Sequence, residues 1–136
     1  MITPVPKKYL HLVWESAREH LLRFEKRSGC QFTVDEIGKS IFDGEQQLWI
    51  LVDEEEKITG AIVTQVLSYP RSKSLEIMAC AGKDMDDYMY DSMDAFEKFA
   101  RMNQCDSIRL EGRRGWLKVL KPYGFEEAAI VLERKI

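Results

Sequence analysis

A strand, an amphipathic helix and a second strand follow one another between residues 74 and 111, and this order constrains the fold more than any other feature. Ser74–Ala81 and Ser107–Glu111 are apolar runs of strand length. Between them, apolar residues recur at spacings of 4, 4, 3 and 4, which is one face of a helix. They are Met85, Met89, Met93, Phe96 and Ala100. Because strands joined through a helix pair in parallel, we expect these two to do so.

Two helices and two strands are predicted before this unit. The first helix covers residues 9–27, where one face carries Leu10, Trp14, Ala17, Leu21 and Phe24. The second begins at Thr33, because Thr33 and Glu36 have the spacing of a capping box. Gln47–Asp53 and Ile58–Tyr69 are strand-like runs joined by a polar turn. The short connections favour an antiparallel meander.

The residues after 111 predict a short helix and one more strand. The helix covers Trp116–Leu120 and is stopped by Pro122, and the strand covers Phe125–Ile136. The predicted fold is α/β, with helices flanking a mixed sheet in the order α-α-β-β-β-α-β-α-β. Its parallel pair lies between the third and fourth strands. No linker or repeat divides the chain, so we expect one domain over residues 1–136.

Cysteine and histidine usage excludes several classes of enzyme. Cys30, Cys80 and Cys105 are odd in number and widely spaced, and they form neither a disulfide framework nor a CxxC metal motif. His11 and His20 are nine residues apart, so on one helix they point to opposite sides. No metal site is therefore expected. A zinc enzyme, a Ser-His-Asp hydrolase and a Cys-His protease are all disfavoured.

The charge is mild in sum and uneven in distribution. The net charge is −3, yet residues 84–97 hold six acids and no base, and residues 109–121 hold five bases and one acid. These clusters are either two solvated faces of opposite sign or, for the second, an anion site. Five bases on an acidic chain would bind nucleic acid only weakly, so that partner is not expected. No apolar run approaches the ~20 residues that span a membrane, and no secretion signal is recognised, so we expect a cytoplasmic location.

The closing residues carry a resemblance to a known family. Residues 117–127 (LKVLKPYGFEE) look like a short helix and a Gly-Phe-Glu turn, and Ala129–Ile136 looks like the strand that follows. Together with the strand Leu75–Ala81 and its helix, they resemble the GNAT superfamily of acyl-CoA-dependent N-acetyltransferases over nearly the whole chain. More narrowly, residues 111–116 (EGRRGW), followed by Gly124-Phe125, are similar to small GNAT-like proteins of bacteriophages and prophages.

The resemblance implies that acetyl-CoA is the cofactor and that residues at the end of the third strand and directly after it hold it. Those residues are Cys80, Ala81, Gly82, Lys83 and Met85. The family's pattern is Gln or Arg, two residues, then Gly-x-Gly or Gly-x-Ala, of which only the glycine and a cation are present. Asp84, Asp86 and Asp87 follow, and they suit the start of a helix better than a phosphate site. If these residues bind acetyl-CoA, Gly82→Glu is expected to abolish binding with little loss of stability.

The resemblance also points to residues for proton transfer. The family's tyrosine stands four residues before the Gly of the Gly-Phe turn, and Leu120 occupies that position. Tyr123 is the nearest phenol and is the candidate acid. Glu76, within the third strand, is the candidate base, because a carboxylate in a cleft can act through a water. The alternative for Glu76 is an outward-facing residue on an alternating strand.

A pair of arginines is the candidate site for a substrate or partner. Arg113 and Arg114 lie between Gly112 and Gly115, and Trp116 follows. Guanidinium groups bind carboxylate or phosphate in a bidentate manner, and glycines permit a close approach of the backbone. The alternative is a solvated turn with the tryptophan buried.

Two functions follow from these observations. The first is a GNAT-like N-acetyltransferase that moves acetyl from acetyl-CoA to an amine of a small molecule or protein. The second is a non-catalytic GNAT-fold phage protein, either a virion component or a binder of a phage or host protein. The expected location is then the host cytoplasm or the virion. The departures from the family's cofactor loop and tyrosine leave both open.

Overall fold

One five-stranded sheet organises the computed structural model, which describes residues 1–28, 32–83 and 85–136. Its strands, adjacent in chain order, are β1 Ile2–Pro4, β2 Gln47–Val52, β3 Ile58–Ser68, β4 Lys73–Gly82 and β5 Ser107–Leu110. β1 to β4 pair antiparallel, whereas β4 and β5 pair in parallel. The helices are α1 Leu10–Ser28, α2 Val34–Phe42, α3 Met85–Met102 and α4 Gly115–Leu120. Two 3-10 turns cover Lys7–Tyr9 and Lys121–Tyr123.

The parallel pair lies between the fourth and fifth strands, not between the third and fourth as predicted. The two segments that pair are the expected ones, but an unpredicted strand, β1, precedes them and shifts the count. β1 has only three residues and ends at Pro4, so it carries no periodic pattern. It forms a strand because Ile2 lies opposite Leu51 of β2, a contact between residues far apart in the sequence.

The prediction of a last strand over residues 125–136 is wrong. Residues 125–136 form no strand. The backbone N–H of Phe125 donates to the Leu120 carbonyl at 3.4 Å and ties the start of this segment to α4. Ile130 is 70% exposed and Leu132 90%. The segment has the composition of a strand, yet a strand forms only through hydrogen bonds to another strand, and these residues pair with none of the described strands.

The helices form as their local signals predict. The Thr33 hydroxyl accepts from the Glu36 backbone N–H at 3.1 Å, and the Thr33 N–H donates to the Glu36 carboxylate at 2.9 Å, which confirms the capping box. The bond from the Thr33 backbone N–H is the main cause that lowers the pKa of the Glu36 carboxyl group, and the nearby Thr33 hydroxyl lowers this pKa further. The predicted end of α1 near Gly29 lies outside the described residues. None of the described helices is long and apolar enough to cross a bilayer.

The sheet is covered on both faces. α1 and α2 pack on one face and α3 on the other, so two apolar clusters form. Trp49 of β2 is central to the second cluster and only 1% exposed. Its ring lies edge-on to Phe96, at 5.0 Å between centroids, and to Phe99, at 5.4 Å. α3 is therefore held to the sheet by aromatic packing.

A short hydrogen-bond chain satisfies the buried indole. Trp49 Nε1–H donates to Thr64 Oγ1 at 2.9 Å, and the Thr64 hydroxyl donates to Gln47 Oε1 at 2.9 Å. Thr64 is fully buried, so the hydroxyl has no exchange with water. It serves as both acceptor and donor inside an apolar cluster.

Thr64→Val keeps the side-chain shape but leaves the indole N–H without an acceptor. We expect a loss of about 1–3 kcal/mol in the free energy of unfolding, since a buried donor then lacks a partner. Urea unfolding measures it. Thr59→Val is the control, because Thr59 lies on the same strand but its hydroxyl makes only a long bond of 3.4 Å to Leu51. Equal stability of the two variants would contradict the role assigned to Thr64.

Candidate functional site

β4 has partners of unequal length on its two edges. β3 pairs with it as far as Gly60 opposite Gly82, whereas β5 pairs only from Ser74 opposite Ser107 to Ile77 opposite Leu110. Beyond Ile77, the edge of β4 that faces β5 has no strand against it among the described residues. The sheet therefore opens between the two strands that were predicted to pair in parallel, and we call this opening the cleft.

A bulge reorients β4 where the cleft begins. Val63 lies opposite Ala79 and Thr64 opposite Ile77, so Met78 is an extra residue in β4. An extra residue breaks the alternation of side chains and increases the local twist. Ile77 and Cys80 consequently both face α3, although they are three residues apart.

A small apolar cavity lies at the base of the cleft. It is bounded by β3 (Ile62), β4 (Ile77, Cys80), β5 (Leu110), α3 (Met85, Met89, Ser92, Met93, Phe96) and α4 (Trp116, Leu120). Its volume is about 20 Å³, which is room for about one water. The Ser92 hydroxyl is buried and accepts or donates no hydrogen bond within the described residues. The cavity brings the predicted Cys80 and Met85 together with the end of β5 and with α4.

Cys80 stays a thiol in this environment. Burial raises the pKa of Cys80 to about 12. Since the thiolate is the nucleophilic form, Cys80 is a poor nucleophile near neutral pH. Its position therefore suits a residue that lines the cleft rather than a nucleophile.

The residues between β4 and α3 are less open to a ligand than the resemblance implies. The backbone N–H of Lys83 donates to the Thr59 carbonyl at 3.0 Å, so it is already satisfied. Asp86 and Asp87 stand in the first turn of α3, where they stabilise the helix dipole and repel an anion. Asp84 lies outside the described residues.

Gly82 has a packing role that the sequence interpretation missed. A Cβ there would lie 2.7 Å from Gly60 Cα, 2.9 Å from the Thr59 carbonyl oxygen and 3.2 Å from Met85 Sδ. The first two are backbone atoms of β3, which cannot move aside without distorting the sheet. The expectation that Gly82→Glu leaves stability nearly unchanged therefore conflicts with this geometry.

Gly82→Ala tests this packing. We expect a loss of about 1–3 kcal/mol in the free energy of unfolding, the usual cost of inserting a methyl group into a filled space. Gly115→Ala is the control, because outside the adjoining residues and the backbone of α4 no atom lies within 4 Å of a Cβ at Gly115. Chemical unfolding of both variants measures the difference. A Gly82→Ala protein as stable as the Gly115→Ala protein would refute the close-packing argument.

One carboxylate oxygen of Glu76, the candidate base, already has partners within the protein. Leu75 and Ile77 pack toward α3, so Glu76 between them faces the opposite side of the sheet. Glu76 Oε2 accepts from the Ser74 hydroxyl at 2.6 Å and lies 4.0 Å from Arg109 Nε across the β4–β5 pair. The Glu76 side chain is 18% exposed. Its other oxygen, Oε1, accepts no hydrogen bond from the described residues and is therefore the oxygen that is open to a ligand.

The remaining predicted residues lie around α4. Tyr123 is 38% exposed in the turn after α4, and it does not line the cavity, whereas Leu120 does. Arg113 and Arg114 are both exposed and precede α4, and their carbonyls accept the N–H groups that start it. Trp116 is half-buried and packs over Gly112, where a Cβ would lie 2.9 Å from the indole Cδ1.

The two charge clusters differ in how they are neutralised. On α3, Asp94 pairs with Lys98 at 3.1 Å and Glu97 with Arg101 at 2.8 Å, one helical turn on. The five bases of residues 109–121 are all exposed, and among them Arg109 lies 4.0 Å from Glu76 Oε2 on the neighbouring strand. No group of three or more metal-binding side chains is found in the described parts of the chain.

Ser92 is a cavity residue that was not among those predicted from the sequence. A signal was present, because Ser92 falls on the α3 stripe, three residues after Met89 and four before Phe96. A hydroxyl at an apolar position of a helix either bonds to its own backbone or faces a space that something else must fill. Here it lines the cavity without a partner.

The chain resembles known proteins in its fold but matches none of the compared families or curated proteins in sequence. No protein-family model matches the chain, and no curated protein matches it in sequence. A predicted acetyltransferase from Clostridium acetobutylicum, solved with acetyl-CoA, has a TM-score of 0.70 at 15% identity, over 99% of this chain and 95% of that one. A ribosomal-protein-alanine N-acetyltransferase from Brucella melitensis has a TM-score of 0.70 at 10% identity, over 100% and 99%.

A GNAT family acetyltransferase from Staphylococcus aureus has a TM-score of 0.65 at 12% identity, over 100% of this chain and 98% of that one. At these identities the likeness is one of fold. The chain has a GNAT-like fold, a mixed α/β arrangement around one five-stranded sheet, as the sequence resemblance implied.

Proposed function

We propose that residues 1–136 act as a single GNAT-like domain that transfers an acetyl group from acetyl-CoA to an amine. The observation that carries this proposal is the opening of the sheet after Ile77, where β4 runs on without β5. A free strand edge beside a helix start is suited to an extended, amide-containing ligand, because backbone groups on that edge are available to pair with it. The GNAT-like fold supports the same choice.

The open edge fits one half of the cofactor. Its wall is apolar, built from Cys80, Met85 and Leu110 around the small cavity. The cavity itself, at about 20 Å³, is too small for an acyl group unless the methionine side chains of α3 shift. The orphaned Ser92 hydroxyl is a polar atom that a bound carbonyl could accept from.

The diphosphate half does not fit as the resemblance implies. The Lys83 N–H is bonded to Thr59, and Asp86 and Asp87 stand in the first turn of α3. A diphosphate there would meet like charges and one fewer donor. Of the residues predicted to hold the cofactor, Lys83 is the one cation. Its side chain is exposed and can offset the negative charge of a diphosphate.

Two groups are proposed for proton transfer. Acetyl-CoA, when bound, supplies the activated acyl group. Glu76 Oε1 accepts the proton of the incoming amine, directly or through one water, while Ser74 and Arg109 hold Oε2 in place. The Tyr123 hydroxyl, on the turn after α4, is the proposed donor to the leaving thiolate.

Acceptor recognition is proposed for Arg113 and Arg114. Both are exposed just beyond β5, and ligands of open α/β sheets gather past the carboxyl ends of strands. Their charge selects an acceptor that carries a carboxylate or phosphate.

The second candidate is a non-catalytic GNAT-fold binding protein. The bonded Lys83 N–H, the acids at the start of α3 and the buried Leu120 in place of a tyrosine all favour it. Its finer form, a phage virion component or a binder of a host protein, rests on the resemblance of residues 111–116 and 124–125 to phage-encoded proteins.

A thermal-shift measurement with acetyl-CoA and free CoA separates the two candidates. A ligand at 100 times its dissociation constant adds about 2.7 kcal/mol to the free energy of unfolding. For a chain of this length that is a rise in Tm on the order of 10 °C. Adenosine diphosphate is the control for binding through the nucleotide alone. A Tm that stays constant up to millimolar acetyl-CoA would contradict the transferase and favour the binding protein.

Glu76→Gln tests the base. We expect kcat to fall by about 10²–10⁴-fold with acetyl-CoA binding unchanged, because the amide cannot accept the proton. Acetyl transfer to a panel of amines is measured by release of the free thiol. Glu111→Gln is the control, since Glu111 is an exposed carboxylate one residue past β5. If both variants keep the wild-type rate, Glu76 is not the base.

A further inference from the structure

One buried polar side chain in the cavity at the base of the cleft has no partner. Ser92 of α3 is 3% exposed, and its hydroxyl makes no hydrogen bond within the described part of the chain. Apart from the thiol of Cys80, which is a weak partner, it is the only polar side chain among the described residues that line the cavity. An unpaired buried hydroxyl destabilises the folded chain, so its position points to a partner from outside the chain.

A water molecule is a poor partner for this hydroxyl. The cavity volume of about 20 Å³ admits one water, but a buried water is held by about two to four polar groups. Among the described side chains, the lining offers the Ser92 hydroxyl and otherwise sulfur-containing, aliphatic and aromatic groups. The cavity therefore suits an apolar ligand that carries a single acceptor atom.

The lining also disfavours a charged ligand. None of the described residues around the cavity is an acid or a base. Because burial raises the pKa of Cys80 to about 12, its thiol is uncharged near neutral pH. An ionised group placed there would lose its hydration without gaining a counter-ion. The acceptor atom is therefore a neutral oxygen, such as that of a ketone.

The cavity lies where the acyl group of a thioester would enter the protein. Its wall includes Ile77, the last residue of β4 that pairs with β5, and Leu110, the last residue of β5. A thioester that extends along the free edge of β4 would hold its acyl carbons at this opening. Ser92 stands on the α3 side of the cavity, so a chain longer than acetyl is needed to reach it.

We propose, on the basis of the transferase function proposed above, that the preferred acyl group is longer than acetyl and carries a neutral oxygen on its third carbon. A 3-oxoacyl thioester has this structure. The third carbon is the first beyond the length of acetyl, and the Ser92 hydroxyl donates to its oxygen.

The methionines of α3 supply room for the longer chain. Met85, Met89 and Met93 follow one another at about one helical turn along the cavity. Methionine side chains are unbranched and have three rotatable bonds, so they adapt to the shape of a neighbour. Their rearrangement enlarges the cavity while the backbone of α3 stays in place.

The transfer itself follows the same steps for this donor. The amine nitrogen forms a bond to the thioester carbonyl carbon, the carbon–sulfur bond breaks, and its electron pair leaves on the sulfur. Glu76 takes a proton from the amine and Tyr123 returns one to the sulfur, so the products are an amide and a free thiol. The oxygen bound by Ser92 is not consumed.

Calorimetric titration of the chain with two matched thioesters tests the assignment. Acetoacetyl-CoA and butyryl-CoA have acyl chains of equal length, and only the first has an oxygen on the third carbon. We expect the first to bind about 10-fold more tightly, because butyryl-CoA leaves the Ser92 hydroxyl unpaired. In Ser92→Ala the two affinities become equal. Ser16→Ala, the same change at an exposed position of α1, is the control and keeps the preference.

Equal affinities of the two thioesters for the wild-type chain would overturn the assignment. A loss of affinity in Ser92→Ala that is the same for acetyl-CoA would also overturn it, because Ser92 would then contact the thioester carbonyl that all three ligands share. If acetyl-CoA binds in either case, the transferase proposed above stands. If none of the three thioesters binds, both proposals fail.

The stability of the free protein gives an independent test. Because the Ser92 hydroxyl is unpaired, we expect Ser92→Ala to raise Tm by about 3–6 °C more than Ser16→Ala does. The comparison removes the contribution of helix propensity, which favours alanine at both positions. A fall in Tm in Ser92→Ala would show that the hydroxyl has a partner within the chain and would refute the proposal.

Discussion

The unequal pairing of β4 is the constraint on which the site depends. β3 holds β4 along its whole length, whereas β5 holds it only as far as Ile77. Both strands are tied where they begin, because Asp106 N–H donates to the Lys73 carbonyl at 2.6 Å and Lys73 N–H donates to the Asp106 carboxylate at 2.9 Å. Two strands that are tied at one end and unpaired at the other are free to separate there. The cleft is therefore a product of backbone hydrogen bonding rather than of the side chains that line it.

Sequence periodicity predicted the elements whose packing repeats locally. The stripe from Leu10 to Leu21 and the stripe of α3 each bury one helix face, and the strand–helix–strand order fixed the parallel pair. The two errors concern strands at the ends of the chain. β1 has too few residues for a pattern, and residues 125–136 have the pattern without a partner. Strand formation depends on an acceptor edge elsewhere in space, and no local pattern records it.

The candidate site, like the fold, was predicted from the sequence only in part. The resemblance directed attention to the β4–α3 junction, and the cavity does include Cys80 and Met85. It could not reveal that Gly82 lies against the β3 backbone or that the Lys83 N–H is bonded to Thr59. Both facts follow from the register of β3, which sequence patterns leave undetermined. In a sequence, a glycine at a strand end is equally consistent with close approach of a ligand and with close packing against another strand. The position of the neighbouring strand is needed to decide between them.

β5 links the cleft to the sheet edge. Its four residues border the opening on one side through Leu110, while their other side is free. A strand this short gains little from its own burial, and Ile108 and Leu110 are only partly covered. Whatever pairs with its outer edge therefore also fixes the wall of the cleft, because a strand hydrogen-bonded on both sides cannot shift toward or away from β4. The four residues of β5 therefore belong both to the wall of the cleft and to the edge of the sheet.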